Sequence, residues 1–170
     1  NNLKWDQNKI EELIKGNLVE ILIRIYDIGC EYLKSLPKEK SAKSDIFENS
    51  EQLKFISIVI SFIRNASFYS NVFNLGIQNQ DGIRILLKLL SDDDLLNAYS
   101  SSNLYKSKSK NDFFRDILGR TVGTLESLAM NSTHFLEKWH ESNSVQVLLN
   151  FAEKYQEISD WKLNAYITLA

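Results

Sequence analysis

The apolar residues near the end of the chain follow the spacing of α-helices. Val122, Leu125, Leu128 and Ala129 fall on one side of a helix when the chain is wound at 3.6 residues per turn. The stretch 145–152 is apolar around most of a helix, so that helix needs cover on more than one side. A single helical hairpin cannot provide this cover, but a stack of hairpins can.

The same pattern recurs earlier in the chain. The aligned pairs are 17–23 with 143–149, 82–87 with 144–149, and 62–67 with 128–133. These pairs are offset by 126, 62 and 66 residues, so we expect a small length difference near residues 78–80. Three related copies in one chain indicate an α-helical repeat array. Leu148 is expected in the core between repeats, at the position of Leu22 and Leu86.

Local signals predict helices throughout. The chain has one proline, Pro37, and six glycines, so few residues break helices. Ser50 is expected to cap a helix that ends near Arg64, and Ser91 with Asp92 to cap the helix that carries Leu95. No valine and threonine alternation of the kind that strands need is present. We therefore predict a single all-α domain over 1–170, with polar loops inserted at 37–49 and 100–111.

The recurring unit resembles the armadillo repeat family. The residues that carry the resemblance are L-x-x-L-A-x-N at 125–131 and polar-ψ-x-ψ-L-L at 144–149, with a second copy over 59–90. The resemblance implies a right-handed superhelical stack of about three repeats. Residues 162–170 resemble the start of a further repeat, so we expect the chain to be part of a larger protein.

One feature of peptide-binding armadillo arrays is missing at the aligned positions. Such arrays often carry an asparagine near the end of the long inner helix. The residues aligned with it here are Ser61, Ser127 and Thr168. A ladder of asparagines that grips a peptide backbone is therefore not expected.

Composition excludes several functional classes. The chain has 170 residues, 44% hydrophobic content and a formal net charge of −2. A protein with this charge lacks the positive field that attracts nucleic acids. The longest apolar run, 18–28, is interrupted by Glu20, Arg24 and Asp27, so no membrane span is predicted. The single cysteine, Cys30, indicates a reducing compartment and a buried structural thiol, and we expect a cytoplasmic location.

Recognisable catalytic chemistry is absent from the sequence. His134 and His140 are six residues apart without a third ligand nearby, and the consecutive aspartates at 92–94 lack the ligand spacing of a calcium loop. Nucleophile elbows and phosphate-binding glycine loops are also absent. We therefore predict no enzymatic activity, no cofactor and no metal. The serine- and lysine-rich segment 100–111 is interpreted as a mobile loop, with a phosphorylation or binding loop as the alternative.

Two functions fit this reading. The first is a non-catalytic protein–protein interaction scaffold with a mixed-charge partner. Polar positions on the third helix of each repeat are expected to make the contacts: Glu20, Arg24, Arg84, Lys88, Gln146 and Asn150. The aromatic cluster at 68–75 is interpreted as packing between repeats rather than as a ligand site.

The second is a regulatory ligand-sensing domain of a larger signalling protein. Armadillo-like arrays that hold an effector domain such as TIR inactive, including those resembling the regulatory half of the SARM family, bind a small metabolite between repeats. The aromatic and cationic residues expected to line such a pocket are Trp5, Arg64, Arg120, Trp139 and Trp161. A small-molecule effector is then the expected ligand.

Overall fold

The computed structural model describes residues 17–35, 50–101, 112–131 and 143–155, together with 11, 12, 137, 139 and 141. Within these residues the chain forms helices and turns and no strand, which confirms the all-α prediction. The helices are α1 (Leu18–Ser35), α2 (Glu51–Tyr69), α3 (Asn71–Asn79), α4 (Gly82–Leu90), α5 (Asp93–Ser100), α6 (Phe113–Asn131) and α7 (Ser144–Lys154).

Short polar side chains cap the helix starts. The Ser50 hydroxyl accepts a hydrogen bond from the backbone N–H of Leu53 at 3.3 Å, and the Asp92 carboxylate accepts one from Leu95 at 3.0 Å. The sequence predicted the cap at Ser50, and it predicted the second cap at Ser91 with Asp92, of which Asp92 is the cap. Asp112 caps α6 in the same way, at 3.0 Å from the backbone nitrogen of Arg115. Each cap satisfies a backbone donor that the first helical turn leaves free.

A left-handed residue precedes three of the helices. Asn17, Asp81 and Asn143 have φ values of 63°, 57° and 53°, and they stand directly before α1, α4 and α7. Asparagine and aspartate adopt this conformation more readily than other residues with a Cβ atom. The same turn is therefore built three times, which marks α1, α4 and α7 as equivalent. We call them the third helices.

Two units repeat with one constant spacing: the first begins with α2 and contains α4, and the second begins with α6 and contains α7. The long helices α2 and α6 both contain 19 residues, and α6 begins 62 residues after α2. The left-handed turns at Asp81 and Asn143 are also 62 residues apart. The offset of 66 expected from the sequence, and the length difference near 78–80, are therefore wrong. With the offset of 62, the counterpart of Ser127 is Asn65 rather than Ser61.

The error has a simple physical origin. A shift of four residues is about one helical turn, so it returns an apolar stripe to nearly the same side of the helix. The sequence pattern cannot distinguish the two registers. Helix α2 also continues beyond the predicted end at Arg64 to Tyr69, which places Phe68 and Tyr69 in the long helix instead of the short one.

The long helices α2 and α6 form the largest interface between helices and run parallel. Arg120 of α6 contacts Ser61 of α2. Three residues later on both helices, Gly123 contacts Arg64, so the two helices run in the same direction. Helix α1 packs against α2, and its buried Tyr26 hydroxyl lies 2.8 Å from the Thr121 hydroxyl of α6.

The third helices stack on one another. Lys88 of α4 reaches Asp27 of α1 at 2.5 Å. Helix α7 packs on α4, and Lys154 at its end contacts Asp93 at 2.7 Å. These contacts hold successive units together outside the long-helix interface.

Helix α1 is continuous over 18 residues. Its counterpart in the next unit is divided into two helices, α4 and α5. The break lets α5 turn over the start of α6, where the Tyr99 and Phe114 rings lie 4.8 Å apart. Because α5 extends to Ser100, the predicted loop at 100–111 begins too early. Its residues 102–111, and the predicted loop at 37–49, lie outside the described residues.

We predict that Leu148→Ala lowers the free energy of unfolding by about 2–5 kcal/mol, because the side chain is 3% exposed and truncation leaves a cavity. Its counterpart Leu86 is fully buried as well, whereas Leu22 is half-buried. Denaturant unfolding measures the change. Gln146→Ala, at an exposed position of the same helix, is the control and should change it by less than about 0.5 kcal/mol. Equal effects of the two substitutions would contradict the assignment of Leu148 to the core.

Candidate protein-interaction surfaces

A groove of about 500 Å³ opens between the C-terminal halves of α2 and α6. We call it the long-helix groove. It is lined by Arg64, Asn65, Phe68, Tyr69, Gly123, Glu126, Ser127 and Met130. Three of these side chains are large, apolar and mostly exposed: Phe68 at 67%, Tyr69 at 56% and Met130 at 66%. Such exposure of neighbouring apolar groups is typical of a surface that binds a partner.

A glycine shapes the middle of the groove. A Cβ atom at Gly123 would lie only 2.6 Å from Nε of Arg64, so the arginine side chain crosses α6 where α6 has no side chain. The parallel packing of the helices brings these two residues together. The guanidinium group is thereby held against the groove wall while Arg64 remains exposed.

Arg64 and Glu126 place one positive and one negative charge in the groove. Neither Arg64 nor Glu126 forms an ion pair within the part of the chain that the structure describes. Phe68 and Tyr69 stand edge to face, with ring centroids 5.1 Å apart. The C-terminal ends of two parallel helices meet here, and helix dipoles make such ends partly negative. The groove therefore presents a cation, an anion and exposed apolar side chains close together.

A second groove, of about 490 Å³, lies between α1 and the start of α2. Its lining is nearly all apolar: Ile25, Ile28, Gly29, Tyr32, Glu51, Gln52, Phe55 and Ile56. Helix α5 turns over the start of α6 after the break that follows α4, whereas α1 continues without a break to Ser35.

The six residues predicted on the third helices share two positions, three and seven residues after the left-handed turn. Five of the six are exposed: Glu20, Arg24, Arg84, Gln146 and Asn150. Some of them bond within their own helix or turn. Arg84 pairs with Asp81 at 2.5 Å, and Gln146 donates a hydrogen bond to Asn150 at 2.8 Å. On α1, the apolar Ile21 is also exposed between Glu20 and Arg24.

Lys88 departs from the expectation of an exposed contact residue. Its side chain is half-buried and binds Asp27 at 2.5 Å and Glu31 at 3.5 Å, both on α1. The hydrogen bond to Asp27 raises the pKa of the Lys88 ammonium. Lys88 therefore joins two third helices and is unavailable as an open contact. Periodicity could not reveal this, because the partners come from a helix about 60 residues away in sequence.

The residues predicted for a ligand pocket are only partly placed. Trp5 and Trp161 lie outside the described residues. Trp139 is buried in the hydrophobic core and does not line the groove that contains Arg64. Arg120 is half-buried and donates a hydrogen bond to Ser61 at 2.7 Å, so it serves the interface between the long helices. Of the three that the structure describes, only Arg64 lines a groove of ligand size.

The sequence reading assigned Phe68 and Tyr69 to packing between repeats and did not single out Asn65, Glu126 or Met130. The offset of 62 residues was visible in the sequence for the third helices, but the apolar pattern of the long helices did not favour it over 66. The offset of 62 aligns Asn65 with Ser127 and Phe68 with Met130, so that equivalent positions of α2 and α6 line the same groove. Side chains near the ends of two parallel helices then fall at one site.

Buried titratable groups lie in the core rather than in the grooves. Burial raises the pKa of the Cys30 thiol to about 12 and the pKa of the Tyr26 phenol well above its ordinary value. Both side chains are fully buried, so the thiol is unreactive at neutral pH. The predicted burial of Cys30 is confirmed.

Neither a metal cluster nor a membrane-spanning helix is found in the described ranges. No three His, Cys, Asp or Glu side chains there are grouped to hold a metal ion. His134 and His140 lie outside those ranges. Within the same ranges, no helix combines the length and apolar character needed to cross a bilayer. No family model, curated protein or solved structure matches the chain.

We predict that Gly123→Ala displaces Arg64 from the groove without unfolding the protein. The new methyl group would meet Nε, which is near the flexible end of the side chain. Replacing a helical glycine by alanine stabilises a helix by about 0.5–1 kcal/mol, so the unfolding free energy should stay level or rise.

Gly29→Ala is the matched control for that substitution. Its methyl group would lie 2.8 Å from Cγ1 of the buried Ile56, so we expect a loss of about 1–3 kcal/mol from overpacking. Denaturant unfolding of both variants, with a crystal structure of Gly123→Ala, provides the comparison. Similar losses in the two variants would show that Gly123 is packed as tightly as Gly29.

Stability is expected to fall at alkaline pH. The folded state raises the pKa of Lys88 above 10.5 and that of Tyr26 above 10.0, so both protonated forms are stabilised by folding. Their contributions are complete below the unfolded pKa values and are lost as the pH rises through the folded values. Urea unfolding from neutral to strongly alkaline pH should show the decline.

Lys88→Met should reduce the loss of stability at alkaline pH by up to about 1 kcal/mol, because the ion pair between Lys88 and Asp27 is partly solvated. An unchanged pH profile of stability would contradict the role of Lys88.

Proposed function

We propose that this domain is a non-catalytic protein-interaction scaffold of the armadillo type, with a right-handed superhelical stack of repeats. Support comes from the constant spacing of 62 residues, the parallel long helices and the left-handed turn before each third helix. The observation that carries the proposal is the long-helix groove. There, exposed apolar side chains stand beside one cation and one anion that are not paired with each other.

The corrected register adds to this support. Peptide-binding armadillo arrays often use an asparagine near the end of the long helix. In the register of the structure, that position is Asn65 in the first unit and Ser127 in the second, and both line the groove. A side-chain amide can donate to and accept from a peptide backbone at once. Asn65 is therefore proposed to contact the backbone of the bound segment.

The partner segment follows from the chemistry of the groove. Arg64 and Phe68 are four residues apart on α2, which corresponds to a rise of about 6 Å. An extended peptide advances about 3.3 Å per residue, so an acidic residue and an apolar residue two positions apart can reach both. A basic residue would pair with Glu126. The proposed partner is a short, extended segment with acidic, apolar and basic side chains.

Selection from a random peptide library displayed on phage tests this function. Selection against the wild-type chain should enrich peptides with an acidic residue two positions from an apolar one. Selection against Arg64→Glu should lose the acidic preference and favour a basic residue there. Phe68→Ala should weaken binding of the selected peptides by about tenfold or more.

A matched pair of substitutions separates the groove from the third helices. Gln146→Ala with Asn150→Ala should leave peptide affinity unchanged, because those exposed side chains lie on α7 rather than in the groove. Peptides that lose affinity only with this pair would shift the binding surface to the third helices. Failure to enrich any sequence-specific peptide would contradict the scaffold proposal.

The regulatory alternative rests on one observation. The long-helix groove has the volume of a small-molecule site, and it contains Arg64, one of the residues expected to line a metabolite pocket. In this SARM-like proposal, an anionic metabolite would pair with Arg64. A thermal-shift screen of nucleotides and other anionic metabolites, repeated with Arg64→Ala, separates it from peptide binding. A thermal shift that persists in the Arg64→Ala variant would show that the metabolite does not bind at this groove.

A further inference from the structure

Sulfur chemistry on this chain is confined to two side chains. The sequence contains one cysteine, Cys30, and one methionine, Met130. The thiol of Cys30 is fully buried, and burial raises its pKa to about 12. Because oxidants attack the thiolate, this thiol is protected at neutral pH. Met130, in contrast, is 66% exposed. A peroxide in solution therefore reaches one sulfur atom and not the other.

The exposed sulfur belongs to the wall of the long-helix groove. Met130 lies one residue before the end of α6, and it lines the groove together with Phe68 of α2. The offset of 62 residues makes these two residues equivalent, so each long helix contributes one large apolar side chain near its C-terminal end. Peroxide attacks a thioether and leaves a phenyl ring unchanged. Of these two apolar side chains, only the one on α6 is open to oxidation.

Oxidation changes the character of the methionine side chain without cleaving the chain. The sulfur lone pair attacks one oxygen of hydrogen peroxide, and the S–O bond forms as the O–O bond breaks. The transferred oxygen gives its proton to the released hydroxide, which leaves as water. The sulfur is oxidised and the peroxide is reduced. The product is a sulfoxide, which is polar and chiral where the thioether was apolar.

The surroundings of Met130 make the sulfoxide a poor contact for an apolar group. Glu126 lies four residues earlier on α6, so the two side chains are neighbours on the helix, and both line the groove. The C-terminal end of a helix is also partly negative. The sulfoxide oxygen carries partial negative charge, so it turns away from this end of α6 and keeps its hydration. An apolar side chain entering the groove must then displace that water at a cost.

We propose that Met130 is a modification site through which peroxide lowers the affinity of the long-helix groove for apolar groups. The ligand in this inference, a segment with an apolar side chain, rests on the proposed function, whereas the oxidation of Met130 follows from its exposure. Methionine sulfoxide reductases, with a dithiol as reductant, return the sulfoxide to the thioether and release water as the dithiol becomes a disulfide. The modification is therefore reversible.

Peptide mapping by mass spectrometry tests the site first. The folded 170-residue chain is treated with dilute hydrogen peroxide, and oxygen addition is followed at both sulfur atoms. We expect Met130 to convert fully while Cys30 keeps its thiol. The urea midpoint should stay the same, because the Met130 side chain is mostly in solvent. An unmodified Met130, or oxidation of Cys30 at the same rate, would overturn the inference.

Binding is then measured with two probes before and after oxidation. The first is the dye anilinonaphthalene sulfonate, whose sulfonate suits Arg64 and whose rings suit Phe68 and Met130. The second is a peptide selected against the wild-type chain. Oxidation should weaken the binding of each probe to the groove about tenfold, because a polar group is then covered by an apolar one. Treatment with the reductases for both sulfoxide epimers should restore it.

Met130→Leu is the matched control, since the substitution preserves volume and removes the oxidisable sulfur. This variant should bind both probes like the wild-type chain, and peroxide should leave its affinity unchanged. Met130→Gln, which places a polar side chain at the same position, should bind both probes weakly without peroxide. An equal loss of affinity in peroxide-treated Met130→Leu would place the sensitive group elsewhere and would overturn the inference.

The two probes separate this inference from the proposed function. Unchanged affinity of either probe after full oxidation of Met130 would overturn the inference, while a selected peptide that still binds would support the scaffold. If no peptide is enriched, the scaffold proposal is contradicted, and the dye alone decides the inference. Loss of dye binding on oxidation and its return on reduction would then support the sensitivity of the groove to peroxide.

Discussion

The parallel contact between the two long helices is the constraint on which the rest of the structure depends. Ser61 and Arg64 of α2 meet Arg120 and Gly123 of α6 in one register, and the hydrogen bond between Tyr26 and Thr121 fixes α1 against the same interface. Parallel helices bring equivalent residues to similar heights. Their C-terminal halves therefore end side by side, and the space between them becomes the long-helix groove.

The long-helix groove follows from that contact. It exists because each long helix turns one side to its neighbour and leaves large apolar residues near its C-terminal end uncovered. Phe68 of α2 and Met130 of α6 therefore flank the same groove.

The sequence was sufficient where the signals are local. Caps at Ser50 and Asp92 depend on the residues that follow within one turn, and Leu148 and Leu86 sit on strongly apolar helices. The alignment of α2 with α6 was not available from the sequence, because a shift of about one turn preserves the apolar side of a helix. The groove was missed for the same reason, since Asn65 aligns with Ser127 only in the correct register. Lys88 was misplaced because its carboxylate partners lie on a distant helix, and Trp5 and Trp161 lie outside the described residues.

The central claim is the parallel register of α2 and α6, and a thiol-specific cross-link measures it most directly. Cysteines replacing Arg64 and Gly123 should be joined rapidly by a short bifunctional maleimide, because the Arg64 side chain lies against the Gly123 backbone. A pair displaced by about two turns along α6, at Arg64 and Met130, should remain unlinked, and the buried Cys30 should not compete. Efficient cross-linking of the Arg64 and Gly123 pair is the expected result. Preferential cross-linking of the displaced pair would contradict the register, and with it the groove and the repeat equivalence.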